Sequence, residues 1–465
     1  MAKGCADRDA RATVTRKTSS RTIERPPTVR DRLELSAPRR LIAPSAARTV
    51  LVALLGRIRG GTVRVDEGSR TTTYGDDQGL QGQIDVRDPT AWSLIVQRGS
   101  VGLGESYIDG LVETRDLVSV LRVLVRNVDR LNAHLNRISV VTSALVDWLD
   151  RRRRRAKLMV QSDVRAHYDV GDDFFELFLD PTMTYSSALF AAHDATLEDA
   201  QRAKLERICE KLALSPSDHV VEIGSGWGSF AIHAASTRGC RVTTTTISAN
   251  QFAATTARVA AAGLDHLVDV RQLDYRDVSG TFTKLVSIEM IEAVDWRDYD
   301  EYFGAINRLL APGGIAVIQA ILIGDGDFER AKRRDDFIKT YVFPGGCLPS
   351  LRAIRTSLDR STLLQVTDQE QFGAHYVRTL QEWRQRLNDR RHEAMQLGYG
   401  PRFLRLWDFY LSYCEAAFAE GHVTVAQLVL SQRPETHSTP DARSSHTVHT
   451  RGLGPASSTK PVPGP

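Results

Sequence analysis

The chain has 465 residues, with 42% hydrophobic and 25% charged residues, a length for two to four domains or two plus tails. This composition excludes a wholly disordered chain, a collagen-like chain and a coiled-coil rod. No apolar run reaches the ~18–20 residues that a bilayer span needs. The net charge of +4 hides an uneven distribution, because residues 1–40 carry eleven Lys/Arg against five Asp/Glu.

Taken in chain order, residues 1–40 have few large apolar residues and predict a disordered basic arm, without the apolar core of a secretory leader. Residues 41–150 predict a small α+β domain: a helix Ala46–Arg57, strand-like Thr62–Val65 and Ile84–Val86, then a helical Ala91–Arg98. From Leu117 to Leu149 apolar residues recur at three- and four-residue intervals (Leu117, Val120, Leu121, Leu124, Val125, Val128), the stripe of amphipathic helices. Residues 151–160 form a basic linker around Arg151–Arg155 and Lys157. Such a run is a solvated linker, or it meets anionic phospholipid or nucleic acid; charge alone does not choose.

Residues 161–431 predict a second domain. A helix Ala200–Leu212 leads to strand His219–Ile223, helix Ser229–Thr237, strand Arg241–Thr246 and helix Ala249–Ala262. Strands Val268–Arg271 and Lys284–Ile288 follow, then helix Tyr299–Leu310, a turn at Pro312-Gly313-Gly314 and strand Ile315–Ile321. This alternation implies an α/β fold with a doubly wound, mainly parallel sheet. Helical segments at Ala374–Ala394 and Arg402–Ala419 precede a closing strand from Val423 to Leu430. Residues 432–465, rich in Ser, Thr, Pro and Gly, predict a disordered tail. Cysteines at 5, 209, 240, 347 and 414 show no CxxC or zinc spacing, so reduced thiols, a cytoplasmic setting and no metal are expected.

The strongest local signal is Val220-Val221-Glu222-Ile223-Gly224-Ser225-Gly226-Trp227-Gly228-Ser229, an apolar strand, an acid, a glycine-rich turn and a helix. Tight strand-to-helix turns use glycine for structure alone, but such a loop also lets a ligand lie against backbone and the helix N-terminus. The order acid-x-Gly-x-Gly-x-Gly differs from the Gly-x-Gly-x-x-Gly of dinucleotide sites, and no acid ends Thr243-Thr244-Thr245-Thr246. No Gly-Lys-Ser/Thr follows, which excludes a Walker A loop. The pattern is that of S-adenosylmethionine loops.

Several further segments carry a specific resemblance. His167-Tyr168-Asp169-Val170-Gly171-Asp172-Asp173-Phe174-Phe175, Phe178 to Ser186, Thr246 to Gln251, Asp274-Tyr275-Arg276-Asp277 and Tyr341-Val342-Phe343-Pro344-Gly345-Gly346-Cys347-Leu348-Pro349 stand in one order. Together with the glycine loop, this set resembles the cyclopropane-fatty-acyl-phospholipid synthase family, including its tuberculostearic, methyl-branching members. Residues 84–116 resemble the N-terminal domain of the longer, phospholipid-acting members. The resemblance implies a class I methyltransferase domain preceded by the small α+β domain. It also implies a cytoplasmic enzyme at the inner membrane surface and an unsaturated acyl phospholipid as substrate. Arg151–Arg155 would then meet an anionic membrane surface, with no nucleic acid partner. A homodimer and a separate reductase are further partners it suggests.

Carried over position by position, the resemblance assigns S-adenosylmethionine to Tyr185, Ser186, Glu222, Gly224, Ser225, Gly226, Trp227, Gly228, Thr246, Gln251, Tyr275 and Arg276. An alkene is a poor nucleophile, so the methyl donor must be held in line with the double bond, away from water. Aromatic faces such as Tyr168 and Phe174 would steady the resulting cation by about 2 kcal/mol when desolvated; packing in the core is their other reading. The resemblance implies a bound bicarbonate as base, with the glutamate at Glu292 and the tyrosine at Tyr376. Ser187 stands where the family has cysteine, Gln319 where it has histidine, and Ala293 where it has a second histidine. These departures point away from a cyclopropane ring, towards a methylene-branched chain that a partner reduces to methyl. Cys414 aligns with a cysteine once proposed as catalytic, but olefin methylation needs no thiol and the expected role is packing. Two other readings share parts of the pattern: a small-molecule methyltransferase, and a lipid-binding relative without activity.

Overall fold

The computed structural model describes residues 42–76, 79–131, 133 and 170–433. Tyr168, the run Arg151–Arg155, the arm 1–40, the expected boundary at 151–160 and the tail beyond 433 lie outside them. Near the start, β1 (Gly61–Glu67), β2 (Arg70–Gly75), β3 (Leu80–Val86) and β4 (Val112–Glu113) form a sheet in the order β2-β1-β3-β4. β1 and β2 make a tight hairpin whose turn uses Gly68 at φ 58°, a conformation that Cβ atoms resist. The inward residues Val63 and Val65 pack with Ala47, Ile58, Trp92 and Val123.

The larger sheet has seven strands: β5 (His219–Ile223), β6 (Arg241–Thr246), β7 (Val268–Gln272), β8 (Phe282–Ile288), β9 (Leu310–Ile323), β10 (Leu364–Gln371) and β11 (Val423–Gln432). Their order is β10-β11-β9-β8-β5-β6-β7. β5 to β9 pair in parallel, while β11 runs antiparallel to both its neighbours. Burial on both faces explains the near-continuous apolar runs of β5 and β9. Helix boundaries follow local chemistry. Thr196 and Asp199 form a capping box for Leu197–Lys211, and Gly228 and Gly239, both left-handed, bracket Ser229–Arg238.

The structure refines three expectations. Pro312-Gly313-Gly314 falls within the bounds of β9, but residues 311–314 have no partner on β8, whose pairing passes from Phe282 with Leu310 to Lys284 with Ile315, the expected start of the strand. The expected helix Ala374–Ala394 is two helices, Gly373–Asp389 and Arg391–Gln396. Phe174 belongs to the core, fully buried, with Trp407 at 4.9 Å, Tyr399 at 4.7 Å and Phe403 at 5.1 Å between ring centres.

The first sheet and its helices are joined to the second through the helix Pro401–Ala419. Tyr107 donates to Asp408 (2.6 Å), and Arg122 and Arg126 both bind Glu420 (2.8 and 2.7 Å). The buried Glu105 accepts from Arg98 and from Tyr341, which opens the Tyr341–Pro349 motif. Gly104 leaves no space there, since a Cβ would lie 2.4 Å from the Phe337 ring. The described residues through Gln432 form one unit.

Candidate active site

The glycine loop leaves the C-terminal end of β5, the side on which doubly wound sheets take ligands. Gly224, Gly226 and Gly228 have φ of 92°, 50° and 84°, which costs any other L-residue about 1–2 kcal/mol. The N–H groups of Gly224 and Ser225 both donate to the Thr245 carbonyl (3.0 and 2.9 Å), tying the loop to β6. Trp227 is buried beneath it, its indole N–H on Asp172 (3.0 Å) and its ring 5.0 Å from Phe175. A Cβ at Gly226 would meet nothing within 4 Å, so that side of the loop is open.

Around this opening stand most of the residues expected to hold the cofactor. Glu222 is buried and accepts from Thr244 (2.6 Å); burial pushes its carboxyl up to about 8, against the Thr244 bond and the Lys204 charge. Thr246 donates to the Gln251 side-chain oxygen (2.8 Å) and so fixes that amide. Ser186 accepts from the fully buried Lys204 (2.7 Å), whose ammonium burial lowers to about 8. The Tyr185 hydroxyl lies 3.1 Å from that of Tyr410. Tyr275 packs on Tyr302 at 5.6 Å, whereas the Arg276 guanidinium is held at the surface by both oxygens of Asp274 (2.9 and 2.7 Å). An open glycine cradle beside a buried carboxylate and fixed polar side chains fits S-adenosylmethionine.

A second cluster lies behind the loop, where β8 ends. A Cβ at Gly224 would be 3.2 Å from Met290, so loop and cluster are adjacent. Tyr376, Gln319 and Ser187 do converge here, but on Glu289 rather than on Glu292. One Glu289 oxygen accepts from the Ser187 backbone N–H (2.9 Å) and from the Gln319 amide (2.8 Å). The other accepts from the Tyr376 hydroxyl (2.6 Å). The Ser187 hydroxyl takes no part, donating instead to the Ala188 carbonyl (3.1 Å). Glu292 stands alongside. Its Oε1 accepts from the Ile321 N–H (2.5 Å), and its buried Oε2 has no hydrogen-bond partner. Its backbone carbonyl accepts from Cys347 (2.8 Å), which brings the Tyr341–Pro349 motif against the site.

Burial pushes both carboxyls above the usual carboxylate range. The Glu289 charge raises Glu292 further, while Tyr376, Ser187, Gln319 and Lys204 all favour the charged form of Glu289. Of the two, Glu289 has the contacts that favour its charged form, and Glu292 is pushed further towards the neutral one. Glu289 also has φ of 48°, a strained conformation for a non-glycine residue and one that clusters at functional sites. Motif reading passed over Glu289. The available signal was a second acid in Glu289-Met290-Ile291-Glu292 at the ligand end of β8.

Cys414 lies in Pro401–Ala419, where burial pushes its thiol well up and keeps it protonated. Ligand atoms of Glu206, Cys209 and His233 come within 4.8 Å of one another, away from the loop. There Glu206 is already engaged by Arg238 and by His233 (3.1 Å), and burial raises the Cys209 thiol to about 12.

The family model described as mycolic acid cyclopropane synthetase matches residues 155–428. The chain is 38% identical to the tuberculostearic acid methyltransferase UfaA1 of Mycobacterium tuberculosis, over 74% of this chain and 84% of that protein. It is 37% identical to the cyclopropane-fatty-acyl-phospholipid synthase of Escherichia coli K12, over 76% of this chain and 88% of the other. Among solved structures, mycolic acid cyclopropane synthase CmaA1, complexed with S-adenosylhomocysteine and CTAB, aligns with a TM-score of 0.54 at 30% identity. It covers 58% of this chain and 98% of its own. The cyclopropane synthase MmaA2 of Mycobacterium tuberculosis aligns with the same TM-score at 29% identity, over 58% of this chain and 97% of its own.

Proposed function

Because the chain belongs to the mycolic acid cyclopropane synthetase family, we propose that it methylates the cis double bond of an unsaturated acyl chain of a phospholipid and yields a methylene-branched chain. It is an S-adenosylmethionine-dependent C-methyltransferase. One observation carries the substrate reading: an open glycine loop lies directly beside a buried cluster in which three donors converge on the Glu289 carboxylate. An amine or hydroxyl acceptor brings its own lone pair and needs only the loop. An alkene needs the loop and then a base, in a place without water.

When bound, S-adenosylmethionine supplies a methyl group to one alkene carbon, leaving the adjacent carbon positive. The roles of the chain's own residues follow from their positions. Tyr185, Ser186, Glu222, Gly224 to Gly228, Thr246 and Gln251 hold the cofactor, with Tyr275 and Arg276 at its edge. The buried Tyr376, Gln319 and Ser187 backbone order the acid cluster. Purified protein with S-adenosylmethionine and vesicles of oleoyl or stearoyl phospholipid tests the reading. Methylated lipid forms only from the oleoyl chain; methylation of neither, or of both, contradicts it.

Among the described residues no helix is long and apolar enough to cross a membrane. The remaining expectations belong to this reading: a cytoplasmic enzyme at the inner membrane surface, Arg151–Arg155 against anionic lipid, a second copy of the chain and a separate reductase. Co-sedimentation with anionic but not zwitterionic vesicles, reduced when the five arginines become glutamine, checks the membrane contact. Equal sedimentation with both vesicle types contradicts it.

A further inference from the structure

Three donors from distant parts of the chain meet on one carboxylate. The Ser187 N–H, the Gln319 amide and the Tyr376 hydroxyl all point at Glu289. The Gln319 amide is not free to turn away. Gln427 on β11 donates to its oxygen (3.2 Å), which leaves its NH2 facing Glu289. The acid is held at its root as well, its own N–H donating to the Gln319 carbonyl (2.8 Å). These are the positions at which the family resemblance expects a bicarbonate to be bound. A carboxylate presents the same O–C–O pair of acceptors as a bicarbonate. With Glu289 in place those donors are taken, and an added anion would face Glu289 and Glu292 with both groups buried. A buried anion beside a like charge, with only the Glu292 carboxyl left to donate to it, is strongly disfavoured. The residues present do not fit bicarbonate.

We propose that the Glu289 carboxylate is itself the base of this enzyme, taking the proton that the methylated acyl chain must lose. The inference rests on an alkene being the methyl acceptor. A carboxylate has about four acceptor directions, and three are filled here, so one remains on the oxygen that Tyr376 binds. After a hydride moves from the methyl-bearing carbon to its positive neighbour, that carbon is the positive one. A proton then passes from the new methyl group to Glu289, and the C–H electron pair becomes the second bond of a methylene branch, C=CH2, on the chain. Cation and carboxylate become a neutral alkene and a neutral acid, which gives its proton to water once product has left. Tyr376, Gln319 and Gln427 are positioning residues in this scheme.

The test uses Glu289→Gln and Glu289→Gly in the full-length chain, glycine being at ease at this positive φ. Both variants bind S-adenosylmethionine like wild type by calorimetry, which establishes that they are folded. Lipid methylation falls by about 100-fold or more in each, the usual contribution of a general base. Added formate or bicarbonate restores part of it in Glu289→Gly alone, and depleting carbon dioxide leaves wild type unaffected. Full activity in Glu289→Gln overturns the proposal, as does loss of wild-type activity on carbon dioxide depletion with recovery on adding bicarbonate. Carbon-13 bicarbonate, titrated without lipid and followed by NMR, reads the site separately: it binds Glu289→Gly and not wild type. Binding to wild type refutes the inference even where lipid is methylated. A wild type that binds none and methylates no lipid refutes the substrate reading and, with it, the role of the base.

Discussion

Two glycines two residues apart in the loop should fail in different ways when each is replaced by alanine. Gly226 and Gly228 both have positive φ, so each substitution costs about 1–2 kcal/mol of backbone strain. Only Gly228 adds a collision, because its new Cβ would lie 2.8 Å from the Thr255 methyl, on a side chain whose hydroxyl holds the Gly226 carbonyl (3.1 Å). Overpacking of that kind costs a further ~1–3 kcal/mol. Gly226→Ala meets no protein atom within 4 Å, so its methyl enters the space assigned to the cofactor. Gly228→Ala should therefore lose about 2–5 kcal/mol in denaturant unfolding. Gly226→Ala should lose the strain alone, yet weaken S-adenosylmethionine in calorimetry by about tenfold or more, equivalent to ~1.4 kcal/mol. Wild-type cofactor affinity in Gly226→Ala would refute the reasoning, since the open side of the loop would then face no ligand.

Three further outcomes are expected. Gly104→Ala drives a methyl into the Phe337 ring where the two sheets' helices meet; a loss of about 1–3 kcal/mol or more is predicted, and an unchanged melting temperature contradicts the tight contact. Glu292→Gln changes how stability depends on pH. Because the folded Glu292 carboxyl is raised, the unfolded chain ionises first as pH climbs above the ordinary carboxylate range, and wild type loses up to about 1.4 kcal/mol per pH unit from this group. The variant lacks that loss, so its stability relative to wild type should rise between pH 5 and 7 in urea titrations (~2 units of pH,); parallel curves would contradict the buried neutral acid. Cys414→Ala should keep methyltransferase activity close to wild type, its thiol being held protonated by burial. Loss of turnover with cofactor binding intact would give the thiol a catalytic role.

Much of the central sheet was legible because its elements advertise themselves locally. β5 is an apolar run between Asp218 and Gly224, β6 a β-branched run of Val and Thr after Gly239 and Cys240, and the helix between them carries glycine stops. β10 was not legible: Leu364–Gln371 is a polar strand at the sheet's edge, with few positions that need to be apolar. Gly313 suggested a turn, and its positive φ sits in the unpaired stretch between Leu310 and Ile315, which the bounds of β9 nevertheless include. The cofactor side of the site sits on contiguous motifs and could be assigned residue by residue. The base side could not. Ser187, Gln319 and Tyr376 are far apart in sequence, and only the pairing of β8 with β9 and the packing of Gly373–Asp389 bring their donors to Glu289. Motif matching points to Glu292, which shares the site; hydrogen-bond geometry points to its neighbour. For Phe174 the sequence left two readings open, and its ring contacts with Phe403 and Trp407 are those of the core.

The most direct measurement is the fate of a trideuteromethyl group supplied on S-adenosylmethionine to the wild-type enzyme with oleoyl phospholipid. Mass spectrometry and NMR of the released fatty acid should show one added carbon carried as a methylene branch with two deuterons, the third having left to the base. A cyclopropane ring, a methyl group retaining all three deuterons, or unmodified oleate would contradict the account.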